Sequence, residues 1–257
     1  MNVILDLDGV IWLAEEPIPG SPEAVARLRR AGHRLLFLTN NSYPTVDTLV
    51  GKLRGMGVAV EAEEIATSAQ SAVKLLEPGQ TALVCAGPGV VDALQERGVR
   101  PIREGAADAV VVGFHREFDY QRLTAAFRAV HGGARLIGTN DDTTYPTPDG
   151  PVPGGGSILA AVAAAAGVEP TVAGKPYPPM ADLVISRLGN VNDTVMIGDR
   201  PSTDGRMAEL LGVPFLHVLS GVTVEPDPSA AVVALDLASL IAEDGRVPQK
   251  PAAQESA

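Results

Sequence analysis

Short apolar runs rich in β-branched residues alternate along the chain with longer amphipathic stretches. That alternation predicts an α/β protein with parallel strands. Val3 to Asp6 reads as the first strand. The helix after it is expected to open at Ser21 as N-cap, with Pro22 in the first helical position, and to stop at Gly32. Arg34 to Leu38 predicts the next strand, ending in Thr39-Asn40-Asn41-Ser42. Thr45 to Arg54 predicts a second helix, closed by Gly55 and Gly57.

The middle of the chain has strand candidates of its own at Ala82 to Ala86, Ala109 to Gly113 and Arg135 to Gly138. Helical stretches lie between them near Val90 to Glu96 and Tyr120 to Val130. A βαβ crossover needs only about 30 residues, so on the order of a hundred residues here are surplus. They are read as an inserted domain, residues 73–173, within a core formed by 1–72 and 174–257. Its far boundary is the Gly/Pro-rich run from Asp149 to Gly156, followed by an Ala-rich helix to Gly167. The first pattern then resumes: helix Pro179 to Leu188, strand Thr194 to Ile197, helix Thr203 to Leu211, strand Phe215 to Val218. The tail, 245–257, is polar and rich in small residues, and is expected to be disordered.

Four polar clusters stand at the ends of these runs. Asp6 and Asp8 follow the first strand at a spacing that would set both on one side, and Gly9 lets the chain turn away. Ligands of open α/β sheets bind beyond the carboxyl ends of the strands. Two carboxylates there suit a nucleophile and a general acid, although capping acids would look the same. Thr39 and Asn40 offer a hydroxyl and backbone N–H groups that can grip phosphate oxygens or merely cap a helix. Lys175, between Gly174 and Pro176, is a cation fixed by chain-breaking neighbours, and lysine serves phosphate as a point charge. Asp199 and Asp204 follow the apolar strand Val195-Met196-Ile197. Asp199 is a candidate Mg²⁺ ligand, and Asp204 either binds metal or orients its neighbours. Each signal alone is weak. Their fixed order, each at a strand terminus or loop, makes them strong together.

With these residues the chain resembles the haloacid dehalogenase (HAD) superfamily, and within it the NagD-like class IIA phosphatases with a large type-two cap. The match rests on Asp6-Leu7-Asp8-Gly9-Val10, Leu38-Thr39-Asn40-Asn41, Gly174-Lys175-Pro176 and Gly198-Asp199-Arg200 through Thr203-Asp204. Gly138-Thr139-Asn140-Asp141 and Ser220-Gly221-Val222-Thr223 match in addition, so it spans about residues 1 to 240. Two departures stand out: Pro201-Ser202 after Arg200, and Gly205 in place of a β-branched residue, which could loosen the helix start that carries Asp204.

The resemblance implies a Rossmann-like parallel-sheet core with an α/β cap, and a Mg²⁺-dependent phosphomonoester hydrolase working through an aspartyl-phosphate. It implies Asp6 as nucleophile and Asp8 as general acid and base. Asp8, Thr39, Asn40, Asn41 and Lys175 would hold the substrate, with Thr39 and Lys175 also counted as catalytic. Asp6, Asp8 (by its carbonyl) and Asp199 would hold Mg²⁺, with Asp204 beside them. The cap would contact the leaving group around Asn140 to Tyr145 and the glycines 154–156, although those glycines also read as a tight turn or hinge. Such caps commonly form a dimer contact, so a homodimer is expected. A phosphotransferase or phosphomutase on the same core, and a catalytically weak phospho-ligand-binding protein, are the competing readings. A nucleotide-dependent dehydrogenase lacks its glycine fingerprint after the first strand.

Composition narrows this further. A net charge of −11 over 257 residues and a pI near 4.8 argue against nucleic-acid or anionic-membrane surfaces, while a lysine and a metal can still make one spot attractive to an anion. The single cysteine, Cys85, rules out an internal disulfide and sits in an apolar run, as a buried thiol would. The N-terminus shows no basic region or cleavage signal, and the most apolar stretch, Ile158 to Val168, is well short of the ~20 residues a membrane span needs. A cytoplasmic protein is expected. Four tyrosines, five phenylalanines and one tryptophan leave few stacking platforms, which favours small polyol or sugar phosphates over nucleotides.

Overall fold

The computed structural model describes residues 1–145, 150–223 and 225–248. In chain order its elements begin with β1 (Asn2–Asp6), β2 (Trp12–Leu13), β3 (Glu16–Pro17), α1 (Ser21–Arg30), β4 (Arg34–Thr39) and α2 (Val46–Gly55). Next come β5 (Ile65–Thr67), α3 (Ser68–Val73), β6 (Thr81–Cys85), α4 (Pro88–Glu96), β7 (Arg100–Ile102), β8 (Ala109–Val112) and α5 (Tyr120–His131). They are followed by β9 (Arg135–Gly138), β10 (Thr144–Tyr145), β11 (Val152–Pro153), α6 (Gly155–Ala166), β12 (Thr171–Val172) and α7 (Pro178–Leu188). The last are β13 (Thr194–Gly198), α8 (Arg206–Leu211), β14 (Phe215–Val218), β15 (Val232–Ala234) and α9 (Leu237–Leu240). Among the described residues no helix is long and apolar enough to cross a membrane.

The chain divides into two compact units. One comprises Met1–Leu38, Leu53–Val60 and Leu188–Ala257, the other Thr39–Lys52 and Glu61–Arg187. In the first, a parallel sheet runs in the order β15-β14-β13-β1-β4. Val3, Ile4, Leu5, Met196 and Ile197 have no exposed surface, and Val195 and Leu35 to Leu38 are buried beside them. Continuous apolar runs are what strands covered on both faces require, and each such side chain contributes roughly 1.5–3 kcal/mol by burial. Because β1 lies beside β13 in the register Leu5↔Ile197, their carboxyl ends are neighbours.

The start of α1 departs from expectation. Its N-cap is Gly20, in the left-handed conformation, and the Ser21 hydroxyl donates instead to the Val10 carbonyl at 2.9 Å. Helix α9 and the chain beyond it are tied to α1 and the residues that follow α1. Arg27 donates to the Ala238 and Ile241 carbonyls, His33 Nε2 lies 3.0 Å from the Gly245 carbonyl, and Val247 is buried. Ordered packing therefore continues past Gly245, and residues 249–257 of the expected disordered tail lie outside the described residues.

The second unit holds a parallel sheet in the order β12-β9-β8-β6-β7. Strand alternation divides its side chains between two cores. Ala82, Val84, Ala109, Val111 and Ile137 pack with residues of α3 and α4, while Leu83, Cys85, Val110, Val112 and Leu136 pack with residues of α5 and α6. Burial pushes the Cys85 thiol up to about 12, as befits a structural side chain. Helix α3 begins at a capping box formed by Thr67 and Gln70, a signal that sequence reading passed over. The glycine run opens α6 with Gly154 as N-cap. A Cβ on Gly156 would lie 2.3 Å from the Asp141 backbone, so the run permits a close approach to the loop after β9. Asp149, the first residue of that Gly/Pro-rich run, lies outside the described residues.

Candidate active site

Asp6 ends β1 and Asp199 is the first residue beyond β13. Asp204 follows in a π-helical turn, Pro201–Gly205, rather than in a helix starting at Thr203. Its amide donates to the Arg200 carbonyl at 2.8 Å, and its Oδ2 accepts the Arg200 N–H at 3.1 Å. Gly205, expected to loosen this turn, is packed: a Cβ there would lie 3.3 Å from the Phe215 ring. One carboxylate oxygen from each of Asp6, Asp199 and Asp204 lies within 4.8 Å of the other two, and all three residues are buried.

Close approach of glycine backbone makes this possible. A Cβ on Gly9 or Gly221 would stand 2.4 Å or 1.9 Å from Asp199 Oδ2, and one on Gly198 would stand 2.4 Å from the Asp204 carboxyl carbon. At Gly9 the left-handed backbone, φ +81°, excludes other residues as well. The Val222 N–H donates to Asp199 Oδ2 at 2.6 Å, and the Ser220 hydroxyl to the Gly9 carbonyl at 2.7 Å. Three like charges at this separation repel by on the order of 3 kcal/mol per pair at an effective dielectric near 20. An all-oxygen, all-anionic donor set of this size fits a hard divalent cation.

The Asp8 carboxylate is not one of this cluster. Strand β1 ends at Asp6, so the two-residue period that would set both acids on one face does not reach Asp8. Asp8 instead forms an isolated bridge with Trp12, and its Oδ1 accepts the Trp12 indole N–H at 3.0 Å. The buried indole fixes the rotation of that carboxyl group.

The other expected residues lie in the second unit, around Asn40. The Lys175 N–H donates to Asn40 Oδ1 at 2.7 Å, and Asn40 Nδ2 donates to the Lys175 carbonyl at 3.0 Å and to Asp142 Oδ2 at 3.1 Å. The Asn40 carbonyl accepts the Ser68 hydroxyl at 2.7 Å and the Asn140 amide at 2.8 Å. Lys175 is 2% exposed, and Gly174 leaves room for the contact, since a Cβ there would meet Asn40 Oδ1 at 2.6 Å. Thr39 Oγ1 accepts the Asn41 N–H and Asn41 Oδ1 accepts the Tyr43 N–H, which sets the turn leaving β4. Asn140 is buried, with its amide engaged by Asn40 and its Oδ1 by the Asp142 N–H, and Tyr177 donates to Asp141.

Sequence reading missed two features of this unit. Tyr43, Phe114 and Tyr145 form an aromatic cluster with centroids 5.8 and 5.6 Å apart, and the Arg116 guanidinium lies over Tyr43. A cavity of about 540 Å³ is lined by Tyr43, Arg103, His115, Glu117 and Arg122 among others. Burial, with Arg122 second, holds the His115 imidazole below its usual range. No short-range pattern marks either feature, because the residues come from separate segments.

The chain's relatives give its family. Residues 3–100 match the family described as haloacid dehalogenase-like hydrolase, and residues 172–240 match a second HAD-hydrolase-like family. A D-glycerol 3-phosphate phosphatase of Mycobacterium tuberculosis is 34% identical over 251 residues, 93% of this chain and 70% of the relative. An acid sugar phosphatase of Staphylococcus saprophyticus is 31% identical over 228 residues, 87% of this chain and 88% of that protein. Among solved structures, the glycerol phosphate phosphatase of M. tuberculosis in complex with magnesium superposes with a TM-score of 0.84 at 32% identity, covering 93% and 75% of the two chains. A p-nitrophenyl phosphatase from Archaeoglobus fulgidus superposes with a TM-score of 0.87 at 29% identity, covering 93% and 97%. The chain belongs to the haloacid dehalogenase-like hydrolases. Within them it falls in the NagD-like class IIA branch, phosphatases that hydrolyse phosphate monoesters of small metabolites.

Proposed function

We propose that the protein is a cytoplasmic, Mg²⁺-dependent phosphatase of small polyol or sugar phosphates, working through an aspartyl-phosphate. The observation that carries this reading is the buried cluster of Asp6, Asp199 and Asp204 at neighbouring strand ends. The glycerol phosphate and acid sugar phosphatases among the relatives support the substrate class.

Asp6 attacks phosphorus through a carboxylate oxygen as the bond to the leaving alcohol breaks. Asp8, oriented by Trp12, gives that alcohol a proton. The carboxylate so formed on Asp8 then takes a proton from the water that hydrolyses the aspartyl-phosphate, which releases phosphate and restores Asp6. Asp6, the Asp8 carbonyl and Asp199 would hold Mg²⁺, with Asp204 completing the acidic set. Bound there, the ion would neutralise charge on the phosphoryl oxygens. The Thr39 hydroxyl and the Asn40 main-chain N–H hold phosphoryl oxygens, the Asn41 N–H steadies the Thr39 hydroxyl for that contact, and the Lys175 ammonium offsets the charge of both Asp6 and phosphate. The Asn40 side chain serves Lys175 rather than the substrate, since its amide grips both sides of the Lys175 main chain.

Residues 73–173 act as a cap on the core formed by 1–72 and 174–257, shield the reaction from water, and supply the contact of a homodimer. Release of inorganic phosphate from a panel of phosphorylated metabolites, with and without Mg²⁺, tests the reading. Release should need Mg²⁺ and water alone as acceptor, and be fastest with glycerol and sugar phosphates. Transfer only to a second metabolite would point to a phosphotransferase.

A further inference from the structure

Asp199 stands one residue beyond the last paired position of β13. The ladder with β14 runs Met196↔Phe215, Ile197↔Leu216 and Gly198↔His217. Past that point the backbones part, because the Leu219 N–H donates to the Ala234 carbonyl at 3.0 Å. The Asp199 carbonyl is met by a side chain instead: His217 Nε2 lies 3.2 Å from it. On the other side of the ring, the Asp227 N–H donates to Nδ1 at 3.3 Å. Nδ1 is thus an acceptor, which leaves Nε2 as the nitrogen that donates, as the Asp199 carbonyl requires.

Packing alone gives no reason for this residue. His217 has no exposed surface, occupies an otherwise apolar strand, and stacks on Phe215 with centroids 5.5 Å apart. An imidazole buried there is costly unless both nitrogens are bonded, and both bonds are present. One of them ends on the main chain of an acid in the three-carboxylate cluster.

We propose that His217 is a positioning residue for Asp199, holding its main chain while the Val222 N–H holds its carboxylate, so that the acid is aimed at the divalent cation. The inference rests on the reading of Asp199 as a metal ligand. Partners that orient a metal ligand without touching the metal typically matter by about 10–100-fold in metal affinity.

The test compares His217→Leu, His217→Gln and His217→Asn, with circular dichroism and thermal melts to establish folding. The readouts are Mg²⁺ binding to the metal-free protein by calorimetry, the Mg²⁺ concentration for half-maximal phosphatase activity, and KM at saturating Mg²⁺. His217→Leu should weaken both Mg²⁺ measures about 10–100-fold and leave KM nearly unchanged. His217→Gln, whose amide nitrogen reaches the Nε2 position, should bind Mg²⁺ close to wild type. His217→Asn reaches only the Nδ1 position and should behave like His217→Leu. If the leucine variant does not fold, the glutamine and asparagine variants decide the matter. Wild-type Mg²⁺ binding by folded His217→Leu, or equal weakening in His217→Gln and His217→Asn, would overturn the proposal. Asp199→Asn separates the layers: if it loses Mg²⁺ binding while His217→Leu keeps it, only the role of His217 falls. If Asp199→Asn binds Mg²⁺ normally, the metal reading falls and takes this inference with it.

Discussion

Asp199 and Lys175 are held by opposite physics. Around Asp199, glycine backbone lets three carboxylates crowd within 4.8 Å, so that like charges repel where a cation would relieve them. Around Lys175, hydrogen bonds of amides, a hydroxyl and the Asp142 carboxylate join four chain segments, and Asn40 holds the lysine main chain on both its N–H and its carbonyl side. The first cluster is built of charge and the second of hydrogen bonds. Substitutions in the first should therefore act on chemistry and metal binding, and in the second on stability.

Asp6→Asn is the strongest test of that contrast. It keeps the shape of the side chain and removes the nucleophile, so turnover should fall below detection. Because the shape survives, the fold should stay intact. Phosphate release and circular dichroism check both halves. A variant that keeps a tenth of the wild-type rate would exclude Asp6 as nucleophile.

Asp8→Asn is the next largest. General acid–base assistance is worth about 10²–10⁴-fold, so the rate on an alkyl phosphate should drop within that range. It should drop much less on p-nitrophenyl phosphate, whose leaving group needs little protonation. Equal losses on both substrates would remove Asp8 from the role of acid.

The contrast also explains what could be read from the sequence. Strands β1, β4, β13 and β14 were legible because strands buried on both faces must be continuously apolar, and Asp6 and Asp199 were legible as polar residues that end them. Strands β5, β7, β12 and β15 were not, since two or three residues carry no period. Ser21 misled because a serine before proline is a good N-cap, yet its hydroxyl meets the Val10 carbonyl across a loop. The π-turn at 201–205 was hidden because capping rules describe α-helix entry and say nothing of a wider first turn. Asn40 was legible as part of a motif but not as a clamp on Lys175, because its partners lie 135 and 102 residues away. His217 looked like one more strand residue, and only the divergence of β13 and β14 gives its imidazole a task.

Asn40→Ala probes the second cluster and should show the smaller effect on rate with the larger effect on stability. It removes both Asn40 bonds to the Lys175 main chain at a residue only 2% exposed. A buried polar group that loses its hydrogen bond costs about 1–3 kcal/mol, so melting should fall by several degrees, at roughly 2–4 °C per kcal/mol for this size. Loss of the clamp lets Lys175 wander, so kcat should fall while Mg²⁺ binding, which depends on the acids, stays the same. Asn40→Asp refines the point. Its carboxylate can still accept the Lys175 N–H, but it cannot donate to the Lys175 carbonyl and it stands against Asp142, so it should melt no higher than Asn40→Ala. If either variant lost Mg²⁺ binding as well, the acids and the amide hub would have to be treated as one electrostatic system rather than two.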